Sequence, residues 1–189
     1  MLTSSLPQAL RLFCLVGAVL ALAACSPTFN WREVRPDNTA LSLLLPCKPD
    51  KAEKSVPLGG LPVQLLMLGC DAGDATFAVA VADIGDVSKA EAVLAQWQAL
   101  TLANMKAGPV GTGAGATQVS TFRPTGMASG APASLVRSSG QRADGRAVAG
   151  QAAYFSRGSQ LFQVVLYAGV INADVAETYF SSLQFEPGP

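Results

Sequence analysis

The segment at residues 75–84 constrains the fold most strongly, because its side chains alternate in size. Phe77, Val79 and Val81 are separated by single alanines, and successive side chains of a β-strand point to opposite faces of the sheet. The three large side chains therefore share one face, and we expect that face to be buried. The same half of the chain contains three further strand-like segments, at residues 31–35, 39–47 and 62–70.

The next segment, residues 88–108, has the spacing of an amphipathic helix. Its apolar residues, with Trp97 near the centre, repeat at helical intervals. Ser88 and Glu91 stand three residues apart at its start, which is the pattern of a capping box. A helix of this kind can cover one side of a sheet.

The second half of the chain returns to strands and ends on a short helix. We predict strands at residues 117–123, 133–139, 146–157 and 161–169, with hairpin turns at residues 144–145 and 157–159. A short helix near residues 173–182, capped by Asn172 or Asp174, leads into a last strand that contains Leu183 and Phe185. This order predicts an α+β fold, a mainly antiparallel sheet packed by two helices.

The residue types that are missing exclude much enzyme chemistry. The chain contains no histidine, which rules out Ser-His-Asp and Cys-His nucleophiles and His-ligated zinc. The serine patterns GxSxG and SxxK are absent as well. Equal numbers of basic and acidic residues, 13 of each, argue against nucleic-acid binding. We therefore predict a protein that is not an enzyme and has no catalytic residue, metal site or cofactor.

The first 24 residues differ in kind from the rest. Arg11 precedes an apolar run of 13 residues, from residue 12 to residue 24, which is typical of a secretory signal. A helix that spans a bilayer needs roughly 20 such residues. We therefore expect residues 1–24 to be a removable signal peptide and not a stable anchor.

The end of this run resembles the lipobox of bacterial lipoproteins, with the sequence LAAC at residues 22–25. The resemblance implies that Cys25 receives a diacylglyceryl thioether and, after cleavage, an amide-linked third acyl chain. Several chains anchor a protein far more firmly than one. In enterobacterial lipoproteins an aspartate after the cysteine retains the protein in the inner membrane. Ser26 therefore implies the inner leaflet of the outer membrane, facing the periplasm.

The lipidated tether is expected to be short. It covers residues 25–30 and is followed by a single α+β domain at residues 31–187. The five residues from Ser26 to Asn30, when extended, reach at most roughly 18 Å, so we expect the domain to stay close to the bilayer with Phe29 and Trp31 near the headgroups. The alternative is that both aromatic side chains belong to the edge of the core.

The cysteines indicate one disulfide bond. Cys14 leaves with the signal peptide and Cys25 is acylated, so Cys47 and Cys70 remain, and they are expected to pair in an oxidising periplasm. The turn-rich stretch at residues 48–62 predicts a long hairpin that brings them together, and the bridge should stabilise the fold by roughly 3 kcal/mol. A redox pair, which more often has CxxC spacing, and unpaired or intermolecular thiols stay open as alternatives.

The mature domain also resembles the PsbP-like fold. The resemblance lies in the opening strand LSLLLPCKP, the strand FAVAVADI before the middle helix, and the final helix that runs into YFSSLQF. That fold is shared by extrinsic photosystem II proteins, a Ran-binding nuclear transport factor and many bacterial lipoproteins of unknown role. It implies an α/β/α sandwich over most of residues 31–187 and transfers no catalytic residue.

Four aspartates bracket the strand at residues 75–84. They are Asp71, Asp74, Asp83 and Asp86. Carboxylates of this kind can bind Ca²⁺ or Mg²⁺, but the sequences CDAGD and DIGD are also good turns. Because the two pairs should lie at opposite ends of one strand, the turn interpretation is favoured.

Two further sets of residues suggest a ligand at first sight. The glycines Gly108, Gly111, Gly113 and Gly115 lack the GK[ST] of a phosphate loop and follow a helix, so we predict a mobile loop. The basic residues form two groups that could meet lipid phosphates. These are Lys48, Lys51 and Lys54, and Arg137, Arg142, Arg146 and Arg157. Interspersed acidic residues favour solvated turns for both groups.

Two classes of function remain. The first is a membrane-anchored, periplasm-facing lipoprotein with a non-catalytic role, which binds the bilayer through acylated Cys25 and a protein partner of the envelope. The second is a module that binds a small hydrophobic ligand in a cleft between sheet and helix. A large apolar pocket lined by residues such as Trp97 and Tyr154 would favour the ligand, and a flat exposed apolar patch would favour the partner.

Overall fold

The structure is a computed structural model that describes residues 28–186. The predicted signal peptide at residues 1–24 and the predicted lipidation site, Cys25, lie outside the described residues. In the described part of the chain, no helix is both long enough and apolar enough to cross a membrane.

Residues 28–186 form ten strands and two α-helices. The strands before the first helix are β1 (Arg32–Val34), β2 (Leu41–Leu45), β3 (Asp50–Leu58), β4 (Leu61–Ala72) and β5 (Ala75–Asp83). A 3₁₀ turn (Val87–Lys89) leads into α1 (Ala90–Asn104). There follow β6 (Gln118–Ser120), β7 (Ala133–Gln141), β8 (Ala147–Arg157), β9 (Gln160–Ala168), α2 (Ala173–Ser181) and β10 (Gln184–Phe185).

The strands form two antiparallel sheets. Seven strands pair in the order β3-β4-β5-β9-β8-β7-β6, and three pair in the order β1-β2-β10. The predicted α+β class is confirmed, with a mainly antiparallel sheet and two helices.

Both faces of the large sheet are buried at β5. Phe77, Val79 and Val81 pack in one cluster with the leucines of β2 and with residues of α2, as their alternation predicts. The alternating alanines Ala78, Ala80 and Ala82 lie on the opposite face beneath α1. Small side chains on that face let the helix approach the sheet closely.

One segment predicted as a turn-rich connection is a strand. β3 pairs with β4 along its whole length, from Asp50 opposite Gly69 to Leu58 opposite Leu61. The two strands meet in a tight turn at Gly59 and Gly60, whose φ angles of 66° and 82° suit glycine. Most of β3 is exposed, because it is an edge strand, and its charged residues protect that edge from pairing with another chain. Because most of its side chains are exposed, β3 lacks the alternation of polar and apolar residues by which a strand is recognised in a sequence.

The disulfide bond between Cys47 and Cys70 is present as predicted, but the hairpin expected to form it is wrong. Cys47 follows β2 in the three-stranded sheet, whereas Cys70 lies in β4 of the seven-stranded sheet. The hairpin in this region is formed by β3 and β4 instead. The bond therefore joins the two sheets to each other.

The sequence predicts the N-terminal cap of one helix correctly and that of the other incorrectly. The predicted capping box of Ser88 and Glu91 is wrong, because a 3₁₀ turn precedes α1 and Asp86 caps it by accepting from the backbone N–H of Ser88. For α2 the prediction is confirmed, since Asn172 Oδ1 accepts from the N–H groups of Asp174 and Val175.

The first described residues pack on the edge of the core. The rings of Phe29 and Trp31 stack with centroids 6.0 Å apart. Both meet Phe77 edge-on, at 6.3 and 6.1 Å. Their packing fits the core-edge alternative, and their distance from the bilayer stays a prediction.

Candidate functional site

A cleft of about 860 Å³ lies between α2 and the outer strands β6, β7 and β8. This volume falls in the range of small-molecule sites. The cleft has a sheet wall, a helix wall and a third wall that comes from the glycine-rich segment before β6.

The sheet wall carries a row of polar side chains. Strand register places Gln118 beside Arg137 and Arg137 beside Gln151, and all three line the cleft. The next residue in the row is the buried Leu166. The row therefore starts at the sheet edge and runs into the core face.

Gln151 is the unusual member of this row. The residue as a whole is only 6% exposed, and its side-chain amide forms no hydrogen bond with another described residue. The amide is open to the cleft and not buried, since Ser42 Oγ is the one buried side-chain polar atom without a partner in residues 28–186. Because Gln151 borders the cleft, its amide is placed to hydrogen-bond a molecule bound there.

Arg137 also lacks a partner in the described part of the chain. Arg35 and Arg146 form ion pairs with nearby carboxylates. Arg157 lies over the ring of Phe185, with its guanidinium carbon 5.2 Å from the centroid. By contrast, Arg137 forms neither an ion pair nor a side-chain hydrogen bond with any residue from 28 to 186. Its guanidinium is available to an anionic ligand.

The helix wall is a single stripe of α2. The cleft-lining residues of this helix follow the i, i+3, i+4, i+7, i+8 spacing of one helical face. They are Ala173, Ala176, Glu177, Phe180 and Ser181. Glu177 is the only charged residue in the stripe, and it too forms no ion pair with a described residue.

Hydrogen bonds to both sheets fix the position of α2. The hydroxyl of Tyr179 donates to the carbonyl of Ala78 in β5, at 2.9 Å, and complete burial raises the pKa of Tyr179. Ser182 Oγ, just beyond the helix, accepts from the N–H of Leu44 in β2 at 2.9 Å. These contacts hold Glu177 over the sheet wall.

The floor of the cleft is apolar. Phe122, Leu135 and Phe180 line it, and the rings of Phe122 and Phe180 meet edge-on with centroids 6.3 Å apart. A ligand on this floor would bury apolar surface while its polar groups face Arg137, Gln151 and Glu177.

The third wall comes from the glycine-rich segment. Gly113 and Gly115 line the cleft. The base of the segment is held by Thr117, which is buried and whose Oγ1 donates to the carbonyl of Gly108 at 2.7 Å. A side chain at Gly108 would collide with the carbonyl oxygen of Gly115, so the two ends of the segment pass close together.

The space beneath α1, where an apolar pocket would have favoured the ligand hypothesis, is packed. Trp97 and Tyr154 are only 8% and 2% exposed. Gln163 Nε2 donates to Tyr154 Oη at 3.0 Å and to Thr101 Oγ1 at 2.8 Å, while burial raises the pKa of Tyr154. A smaller cavity of about 560 Å³ lies at the end of α1. It is bordered by Trp97 but not by Tyr154, so the expected pair does not share a pocket.

The bracketing aspartates act as turn residues at the two ends of β5. At one end, Asp71 Oδ1 accepts from the Thr76 hydroxyl at 2.6 Å. At the other end, Asp83 accepts from the N–H of Gly85. Hydrogen bonds from Ser88 and Lys89 hold the pKa of Asp86 below its usual range. Between residues 28 and 186 there is no group of three or more side chains placed to hold a metal ion.

The basic residues also separate. Lys51 pairs with Asp37 and Glu53 but lies in the exposed strand β3, so the turn prediction is wrong there. Arg146 pairs with Asp144, as expected for a solvated turn. Arg137 departs from that interpretation because it lines the cleft. The sequence offered one signal for this site, since Gln151 occupies an inward position in a strand whose neighbouring positions on that face are alanines.

Comparison with known proteins gives little similarity. No protein-family model and no curated protein matches the chain. One solved structure that resembles it is that of a protein of unknown function from Pseudomonas aeruginosa, with 16% sequence identity and a TM-score of 0.34. The match covers 78% of this chain and 87% of that chain.

Proposed function

We propose that this chain is a lipid-anchored, non-catalytic protein of the bacterial envelope that binds a small amphipathic ligand in the cleft between α2 and the sheet. The observation that carries this proposal is a cleft in which Arg137 and Gln151, both without a side-chain hydrogen-bond partner in residues 28–186, border an apolar floor. Ligand sites combine apolar walls with a few convergent polar groups in this way.

The cleft favours the ligand hypothesis over a flat protein-binding surface, because its apolar floor lies between two walls. The large exposed apolar residues elsewhere are Val87, Leu100, Val110, Val119 and Val170.

The proposed anchor would place the cleft close to the membrane. Thr28 and Phe29 lie beside Gly73, in the turn between β4 and β5. Two residues separate Thr28 from Cys25, so acylated Cys25 would lie within about 10 Å of Thr28. Ala75, at this end of the sheet, pairs with Ala168, and Ala168 pairs on its other side with Ala149. Ala149 lines the cleft. A ligand drawn from the membrane would thus have a short path.

The anchor is tested by Cys25→Ser. We expect this variant to lose incorporation of labelled palmitate and to leave the membrane fraction, because the thioether needs the thiol. The wild-type protein should band with the outer membrane when membranes are separated by density. Cys14→Ser, inside the predicted signal peptide, is the matched control and should keep both properties. A Cys25→Ser protein that stays labelled and membrane-bound would contradict the anchor.

The cleft is tested by Ala173→Trp. This exposed residue lines the cleft from α2, so an indole there should obstruct it without entering the core. We expect the affinity for the apolar fluorescent probe 1-N-phenylnaphthylamine to fall about tenfold or more. Ala95→Trp, on the exposed face of α1, should bind like the wild type. Equal probe affinity in the two variants, both folded by circular dichroism, would argue against the cleft as the site.

We also propose that residues 31–187 share the PsbP-like fold. The proposal is supported by the layer order, with α1 on one face of the large sheet and α2 with the small sheet on the other. An experimental structure that superposes on a PsbP-like protein over both helices would support it, and a different strand order would refute it.

A further inference from the structure

We propose that the ligand of the cleft is a zwitterionic amphiphile, with an acidic group bound by Arg137 and the two glutamines, an ammonium group bound by Glu177, and an apolar part on the phenylalanine floor. This inference rests on the proposed function and names the chemistry of the ligand.

The cleft presents one cation and one anion on opposite walls. Arg137 lies in the sheet wall and Glu177 in the stripe of α2, and they are the charged residues among those that line the cleft. Neither forms an ion pair with the other or with any described residue. The two charges are therefore separated, and each is free to bind the opposite charge of a ligand.

The sheet wall suits an acidic group. A guanidinium binds carboxylate or phosphate through two parallel N–H···O bonds. In the strand row Gln118 and Gln151 flank Arg137, so two carboxamides can donate to the same group. Gln151 lies between Arg137 and the buried Leu166 in this row, and its amide has no partner in residues 28–186, so this half of the site draws the acidic group toward the core face.

The helix wall suits an ammonium group. Glu177 is exposed to solvent and lies between Ala173 and Ser181 on the cleft-facing stripe. A ligand with only an acidic group would bring a second negative charge near Glu177, and like charges disfavour binding. A ligand with only an ammonium group would leave Arg137 and Gln151 unmatched. A ligand that carries both charges satisfies both walls.

The floor and the volume require an apolar part. Phe122, Leu135 and Phe180 offer no hydrogen-bonding side chain, and the cleft of about 860 Å³ exceeds the size of a zwitterionic head alone. Two sources share the required chemistry: a phospholipid with an ethanolamine head, and an apolar α-amino acid.

The experiment measures calorimetric affinity with the full chain carrying Cys25→Ser, so that no detergent competes for the cleft. The probes are hexanoyl lysophosphatidylethanolamine, which is zwitterionic, hexanoyl lysophosphatidylglycerol, which is anionic, and L-phenylalanine. Each is tested with Arg137→Met and Glu177→Gln. The matched controls are Arg142→Met and Glu91→Gln, which alter charges outside the cleft.

We expect the wild-type cleft to prefer the ethanolamine probe over the glycerol probe by about tenfold. Arg137→Met should lower the affinity for both lipid probes about tenfold or more, because both probes carry the phosphate. Glu177→Gln should lower the affinity for the ethanolamine probe and raise the affinity for the glycerol probe, so that the preference is reversed. Both controls should match the wild type. Tighter binding of L-phenylalanine than of either lipid, with the same dependence on Arg137 and Glu177, would assign the site to an amino acid.

Two outcomes would overturn the inference. If Glu177→Gln changes the affinity for both lipid probes equally, or if the wild type binds the glycerol probe more tightly, the ligand is not a zwitterion. If the charged probes bind no better than neutral monohexanoylglycerol while 1-N-phenylnaphthylamine still binds, the cleft is purely apolar and the proposed function stands without this inference. Failure of every probe would overturn both.

Discussion

Replacement of Phe77 by alanine should destabilise the domain by about 4 kcal/mol, the usual cost of removing a buried aromatic side chain. Phe77 is 0% exposed and its ring meets Tyr179 edge-on with centroids 5.2 Å apart. It also contacts Phe29 and Trp31 from the first described residues. Because β5 is covered on both faces, its surroundings cannot collapse easily to fill the cavity. The result is measurable as a lower urea midpoint of unfolding.

The control for Phe77→Ala is Leu100→Ala. Leu100 is 46% exposed on α1, so its truncation should cost less than about 1 kcal/mol. A loss at Phe77 no larger than that at Leu100 would mean that the aromatic cluster does not hold the two sheets and α2 together.

Joint replacement of Cys47 and Cys70 by serine should cost about 3 kcal/mol, because the bond restricts the unfolded chain across a sequence separation of 23 residues. Unfolding in urea measures the loss, and reduction of the wild-type protein should reproduce it. Thiol counting on the unreduced protein should find neither cysteine free. A double variant as stable as the oxidised wild type would contradict the prediction.

The two largest effects should not add. Cys70 and Phe77 are cross-strand partners on β4 and β5, and neighbouring substitutions usually couple by 0.5 to 3 kcal/mol or so. The triple variant therefore measures how far the disulfide bond and the aromatic cluster support the same interface between the sheets.

The sequence predicts the parts of this fold that rest on a strong periodic signal. The alternation around Phe77 identifies a strand with a buried face, and Asn172 identifies the start of α2. β3 is not predicted, because it is an exposed edge strand whose charged residues are typical of a loop. The hairpin assigned to Cys47 and Cys70 is wrong because strands adjacent in sequence belong here to different sheets.

The candidate site is harder to predict than the fold. It depends on strand register, which brings Gln118, Arg137 and Gln151 into one row although they are far apart in sequence. It depends equally on where α2 docks, since the hydrogen bonds of Tyr179 and Ser182 to the two sheets bring Glu177 to the cleft. Neither glutamine nor a lone arginine signals a site by itself, so residue types alone could not reveal it.

The disulfide bond between the sheets also makes the stability of the folded state depend on whether the chain's compartment is reducing or oxidising. A total stability of about 5–15 kcal/mol is typical of a domain, and losing about 3 kcal/mol raises the unfolded fraction more than roughly a hundredfold. In a reducing compartment the chain therefore spends far more time unfolded, and the export proposed above would start from that unfolded state. Oxidation after the proposed transport would then close the bond and favour the folded form.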